Sequence, residues 1–213
     1  LKLTPLPRLR LTLHVAVDDM LQGIQWAQAT APCWLMTAGV AVHRTAAGDH
    51  RLTITLEGLP EDVRSEAEEI AAALRRAGAA LLMEDAGRTA TALWCDHLDA
   101  PDDVLLLRSG IPPQHLAAYW QMLPEEVRSD GAWFADVAAG LLYGRVAGRH
   151  AIAARRWIAQ VREPALALRG YAAVQAGPAA VLGEVDRWGY RAGGAEIAAA
   201  IQQRWDPAGV LAA

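Results

Sequence analysis

The chain has 213 residues, 53% of them hydrophobic and 21% charged, with 24 acidic side chains against 20 basic ones for a net charge of −4. This composition excludes a disordered, collagen-like or coiled-coil chain, and the charge balance offers no overall positive field to hold a nucleic-acid backbone or an anionic membrane. Two cysteines, Cys33 and Cys95, are too few for a disulfide scaffold, and no apolar run reaches the roughly 18 residues that span a bilayer, so the expectation is a cytoplasmic chain, peripheral to a membrane only through partners.

The opening Leu1-Lys2-Leu3-Thr4-Pro5-Leu6-Pro7 lacks the basic start and apolar core of a signal peptide, and a chain beginning at Leu1 reads as part of a longer one. Alternation follows at once. In Arg8-Leu9-Arg10-Leu11-Thr12-Leu13-His14-Val15 every second residue is apolar, the pattern of a half-buried strand. Asp18 or Asp19 caps a helix through Met20, Ile24 and Ala27 to about Thr30, which Pro32 ends. Residues 34 to 42 and 51 to 57 read as strands joined by a turn at Ala46-Ala47-Gly48-Asp49. A long helix starts at Pro60, carries Glu61 and Asp62 at its positive end and Arg75 and Arg76 at its negative end, and stops at Gly78. Val63, Ala67, Ile70, Leu74 and Ala77 form its buried stripe, which leaves Glu66, Glu68 and Glu69 on a solvated face rather than in a metal cluster. Residues 79 to 84 close a strand, helix, strand, strand, helix, strand unit, the order of a split βαβ or ferredoxin-like unit.

After a short helix over residues 88 to 96 the order repeats. A strand at Val104 to Gly110 leads through Pro112-Pro113 to a helix at 114 to 123; strands at 133 to 139 and 141 to 147, a helix at 150 to 161 and a strand at 171 to 176 complete it. The expected fold is therefore α+β within one domain, 1–213. Two ferredoxin-like halves, 8–85 and 104–177, form an antiparallel sheet with helices on one face, followed by a helical tail at 178–213.

That tail carries a resemblance. Ile197, Ile201 and then Trp205-Asp206-Pro207-Ala208-Gly209-Val210-Leu211 resemble the C-terminal end of FAD-linked oxidases of the vanillyl-alcohol oxidase type, where the pattern is a helix and then Phe-Asp-Pro-x-Gly-Ile-Leu. Leu3-Thr4-Pro5-Leu6-Pro7, Leu106-Leu107-Arg108 before Ile111-Pro112-Pro113, and Val185-Asp186-Arg187-Trp188-Gly189 occur in the order seen in the E subunits of bacterial glycolate oxidases. The resemblance implies a cap or substrate domain of an FAD-dependent oxidoreductase acting on a small 2-hydroxy acid such as glycolate. It places Trp188, Trp205, Asp206, Pro207 and Gly209 against an FAD-binding domain, and sister oxidase subunits are the implied partners. FAD itself is expected in that other domain or partner, because no glycine-rich pyrophosphate loop, GxGxxG or GxxxxGK[ST], occurs among the 18 glycines. The alternative is a non-catalytic assembly module that stabilises a flavin-containing partner.

Strand arithmetic supplies the candidate site. With Leu105, Leu107, Leu142 and Val146 toward the helices, Arg108, Tyr143 and Arg145 share the open face of two neighbouring strands. Two guanidiniums beside a phenol suit a planar carboxylate, since arginine donates in bidentate fashion and the phenol adds a third donor. The competing expectation is that the arginines pair with Asp136, Glu184 or Asp186. No catalytic base is evident, and the six histidines, His14, His43, His50, His97, His115 and His150, fall at no metal-ligand spacing. Trp94, Trp120, Trp133 and Trp188 read mainly as core or interface filler.

Overall fold

The computed structural model of the chain describes residues 6–44, 48–84, 88–99, 101, 103–147, 151–189, 194–207 and 210. The elements are β1 (Leu9–Val17), α1 (Met20–Thr30), β2 (Thr37–Arg44), β3 (His50–Gly58), α2 (Pro60–Arg76), β4 (Leu81–Glu84) and α3 (Ala90–Leu98). They continue with β5 (Leu105–Gly110), α4 (Leu116–Met122), α5 (Glu125–Asp130), β6 (Ala132–Asp136), β7 (Leu141–Val146), α6 (Ala151–Ala167), β8 (Tyr171–Ala176), α7 (Ala179–Leu182) and α8 (Ala195–Trp205).

Their boundaries follow local chemistry. The Asp19 side chain accepts from Gln22 N at 2.8 Å and so opens α1. Pro60 opens α2, and the chain leaves that helix through Gly78 at φ 90°, a left-handed conformation that glycine adopts without a Cβ clash. β2 begins at Thr37, later than expected, because Ala31–Cys33 tighten into a 3-10 turn after α1. Likewise Pro113–His115 form a 3-10 turn before the short α4.

The strands make one sheet in the order β4-β1-β3-β2-β6-β7-β5-β8. Every neighbouring pair is antiparallel. Within each expected half the strand order is that of a split βαβ unit, read from opposite ends of the sheet. The halves join where β2 meets β6, through Ala41↔Asp136, Val42↔Ala135 and His43↔Phe134. At the far edge, Val174 N donates to Arg187 O at 2.7 Å, so the loop after α7 occupies the free edge of β8.

One face of the sheet is continuously apolar. Leu13, Val15, Ile54, Val42, Ala135, Leu142, Leu107 and Val174 belong to a single core with Ile24 of α1, Ile70 of α2, Leu116 of α4 and Ile158 of α6. Trp120, Trp133 and Trp157 pack on one another within it, ring centroids 5.5 and 5.6 Å apart, and Trp133 lies over Gly144, where any Cβ would strike the indole. The Tyr119 hydroxyl, fully buried, donates to Val161 O at 3.0 Å and meets Ser109 Oγ at 2.8 Å, tying α4 to α6 and β5.

Two expectations need correction. The helices are not confined to one face: α3 lies on the other, its Ala90 buried with Ala41, Phe134 and Tyr143 apart from the main core. Glu66 is not solvated. It is 5% exposed, and its carboxylate accepts from Leu35 N (3.0 Å), Met36 N (2.6 Å) and Thr37 Oγ1 (2.7 Å). Standing three residues after Val63 and four before Ile70, it belongs to the buried side of α2, where charge-assisted bonds hold the entry to β2.

Candidate functional site

Because the side-chain period is two, the residues between the core positions point to the second face of the sheet. Among them are Thr12 and His14 of β1, Thr53 and Thr55 of β3, His43 of β2, Phe134 and Asp136 of β6, and Tyr143 and Arg145 of β7. α3 crosses the middle of this face and is anchored at both ends. At its start, Ala90 N donates to Thr55 Oγ1 at 2.9 Å and Thr89 Oγ1 caps Ala92 N at 3.1 Å. At its end, Arg145 Nη1 donates to His97 O at 2.9 Å, with Asp96 O and Asp99 O at 3.4 Å. These carbonyls lack partners within the helix and carry the negative end of its dipole, so a guanidinium there fixes the helix in place.

On one side of α3 is a small cavity of about 240 Å³, walled by Gly39, Ala90, Thr91, Trp94, Asp136 and Tyr143. The Trp94 and Tyr143 rings meet edge to face at 6.2 Å. Burial raises the Tyr143 phenol above its ordinary pKa, opposed by a side-chain hydrogen bond with Trp94 and by the Arg108 charge. Burial also raises Asp136, whose Oδ1 accepts from Ala139 N at 3.2 Å.

On the other side is a larger cavity of about 610 Å³ lined by His14, His43, His97, Arg44, Arg51, Arg88, Arg145 and the carboxylate of Asp96. His14 Nδ1 lies 3.1 Å from Thr53 Oγ1. Burial, aided by the Arg145 charge, depresses His97 to about 3, and burial also lowers His43. Both imidazoles are therefore neutral at physiological pH. His43 Nε2 and His97 Nε2 are buried without a hydrogen-bond partner among the described residues; each such atom costs about 1–3 kcal/mol. Arg88 pairs with Asp96, and Arg44 Nε donates to Gly48 O at 2.9 Å. Among the described residues no three His, Cys, Asp or Glu side chains come together to hold a metal, and no helix is long and apolar enough to cross a membrane.

The expected site residues lie where strand arithmetic puts them, on one face, with Arg108 directly opposite Tyr143 in register. That face is not open over Tyr143 and Arg145, because α3 covers them. Arg145 grips α3, while the Arg108 guanidinium sits 5.5 Å from the Tyr171 ring centroid and its Nε has no partner among the described residues. Glu184, an expected alternative partner, pairs instead with Arg155 at 2.7 Å. In the tail, Trp188 and Trp205 are 61% and 81% exposed. Asp206 Oδ1 accepts from Val210 N at 2.7 Å across the Pro207 turn; Gly209 is outside the described residues. Ile197, Ile201 and Trp205, four residues apart, leave one side of α8 apolar and uncovered.

Sequence reasoning did not bring His14, His43 and His97 together. The first two stand at the polar positions of alternating strands, a signal the sequence carries, but their convergence depends on β1, β3 and β2 being consecutive in the sheet and on α3 delivering His97 from above.

No family model and no curated protein sequence matches the chain. Solved structures do match in fold. p-Cresol methylhydroxylase with substrate bound superposes with a TM-score of 0.64 at 14% identity, over 97% of this chain and 52% of that one. Alkyldihydroxyacetonephosphate synthase gives 0.60 at 10% identity, over 96% and 44%. A VAO-type flavoprotein from Myceliophthora thermophila C1 gives 0.51 at 12% identity, over 93% and 45%. The chain thus spans about half the length of these proteins, and at such identity the likeness is one of fold.

Proposed function

We propose that the chain is the cap or substrate domain of an FAD-dependent oxidoreductase acting on a small 2-hydroxy acid such as glycolate, with FAD carried by a separate domain or a partner subunit. The fold match over 97% of the chain to 52% of p-cresol methylhydroxylase is the observation that supports it most. The uncovered apolar side of α8 agrees with it, since an exposed stripe of this kind is stabilised by a covering partner. Trp188, Trp205, Asp206, Pro207 and Gly209 are accordingly assigned to contact with the flavin domain.

The described residues do not suit the FAD pyrophosphate. Gly194 precedes α8, the one described helix entered from a glycine at positive φ, but Glu196 in its first turn repels a phosphate there. The purified chain alone is therefore expected to elute colourless from gel filtration; a retained yellow band would overturn that assignment.

For the substrate, Arg108 beside Tyr143 supplies the carboxylate contact, and Arg145 acts as a positioning residue that keeps α3 over the sheet. A charge-assisted bond contributes about 1.5–3 kcal/mol, so Arg108→Met in the flavin-loaded protein raises KM for glycolate about tenfold or more, with an amide analogue unaffected. An unchanged KM in folded, flavin-loaded protein ends the Arg108 assignment; absence of flavin reduction by any 2-hydroxy acid ends the substrate class. The second reading, an assembly module for a flavin-containing partner, draws on Arg145 being committed to α3. It requires Arg108→Met and Arg145→Met to lower flavin retention or thermal stability with KM unchanged.

A further inference from the structure

The larger cavity beside α3 plays no part in the function proposed above. Among the described residues that line it, four guanidiniums, Arg44, Arg51, Arg88 and Arg145, face the carboxylate of Asp96. In a chain whose net charge is −4, this is a local concentration of positive charge. Asp96 neutralises Arg88, and Arg145 is turned to the carbonyls of α3. Arg51 has no hydrogen bond or ion pair among the described residues, and Arg44 bonds only to the neutral carbonyl of Gly48. Among the described residues, Arg51 and Arg44 thus have no counter-charge. His43 and His97, on the same wall, each keep a buried nitrogen without a partner among the described residues. The cavity volume of about 610 Å³ lies within the range of small-molecule sites.

We infer that this cavity is a binding site for a small organic dianion, a phosphate monoester or a dicarboxylate, held by Arg51 and Arg44. Guanidiniums suit either oxyanion, because both present paired oxygens to a planar fork of donors. Two guanidiniums with no counter-charge among the described residues favour a dianion over a monoanion. The neutral imidazoles add polar contacts to the body of the ligand without adding charge. The site is distinct from the Arg108–Tyr143 pair, which α3 separates from it, and it stands whether or not a flavin lies beside this chain.

Calorimetric titration of the full-length protein at fixed ionic strength tests it, with glycerol 3-phosphate, succinate and acetate as probes. At least one dianion is expected to bind ten times or more tightly than acetate. Arg51→Met is expected to weaken that binding at least tenfold, Arg51→Lys to restore part of it, and Arg108→Met to leave it unchanged. Arg51 is exposed, so its variants keep the wild-type melting temperature, and that measurement separates lost binding from lost fold. Preference for the phosphate ester or for succinate assigns the ligand to one class and supports the site. Equal weak binding of all three probes, or wild-type affinity in folded Arg51→Met, overturns it. Loss of binding in Arg108→Met would overturn it too, by placing the ligand at the other site.

Discussion

The two faces of the sheet are built on different principles. The core face carries Leu13, Ile54, Val42, Leu142 and Leu107 under α1, α2, α4 and α6, and almost every side chain there is apolar and fully buried. The other face carries Thr12, His14, Thr53 and Thr55, just as deeply buried, with arginines around them and the nine residues of α3 as its cover. Apolar burial, at about 25 cal/mol per Å², makes the first face the source of the fold. Polar burial contributes little net stability and leaves atoms unsatisfied on the second. A chain keeps such a face where something other than folding uses it, and both cavities beside α3 are there.

The comparison breaks most visibly from the core side. Ile54→Ala is expected to cost about 2–5 kcal/mol in urea unfolding, whereas Arg51→Met, three residues earlier on the same strand and facing the other way, stays within about 0.5 kcal/mol. Glu66→Gln tests the exception, a charge on the core side of α2; weakening its three accepted bonds is expected to cost about 2 kcal/mol. If that variant melts with the wild type, the carboxylate does not organise the entry to β2.

The polar face is expected to fail first in acid. His97 has its folded pKa depressed from 6.5 to about 3, so the unfolded chain takes up the proton first. Its contribution is fully present above pH 6.5 and is lost as the pH falls toward 3. By pH 5 the loss is about 2 kcal/mol. Urea melts at pH 7 and pH 5 check this: His97→Gln should show a smaller difference between the two than the wild type, with His43 and Arg145 left in place. The smallest effect has the opposite sign. Thr12 Oγ1 is buried with no partner among the described residues, so Thr12→Val, similar in shape, is expected to be neutral or to stabilise by up to about 1 kcal/mol.

The core face was legible in the sequence because alternation at Leu11, Leu13 and Val15, or at Leu52, Ile54 and Leu56, reports burial directly. The same period correctly paired Arg108 with Tyr143 and Arg145 on one face. It did not reveal that α3 covers them, since Ala90, Leu93, Trp94 and Leu98 mark a helix as packed without saying against which side of a sheet. Glu66 was within reach: its spacing from Val63 and Ile70 places it on the buried stripe, but a carboxylate is assigned to solvent until its backbone partners are known. The arginine and histidine cavity was out of reach, because its arginines and histidines come from β1, β2, β3, β7 and the segment around α3, whose adjacency only the sheet order supplies.

The hydroxyl of Tyr119, shared with Ser109 and Val161 O, makes that ring an optical gauge. Burial raises its ionisation well above the ordinary value of 10.0, partly offset by the bond with Ser109. The neutral phenol supports the fold below pH 10, and its support is lost as alkalinity rises past that point. In an absorbance titration the tyrosinate band from this residue should appear late and abruptly, together with collapse of the packing between α4, α6 and β5. Stopped-flow recording of that band after an alkaline jump would time the opening of the C-terminal half without any added label.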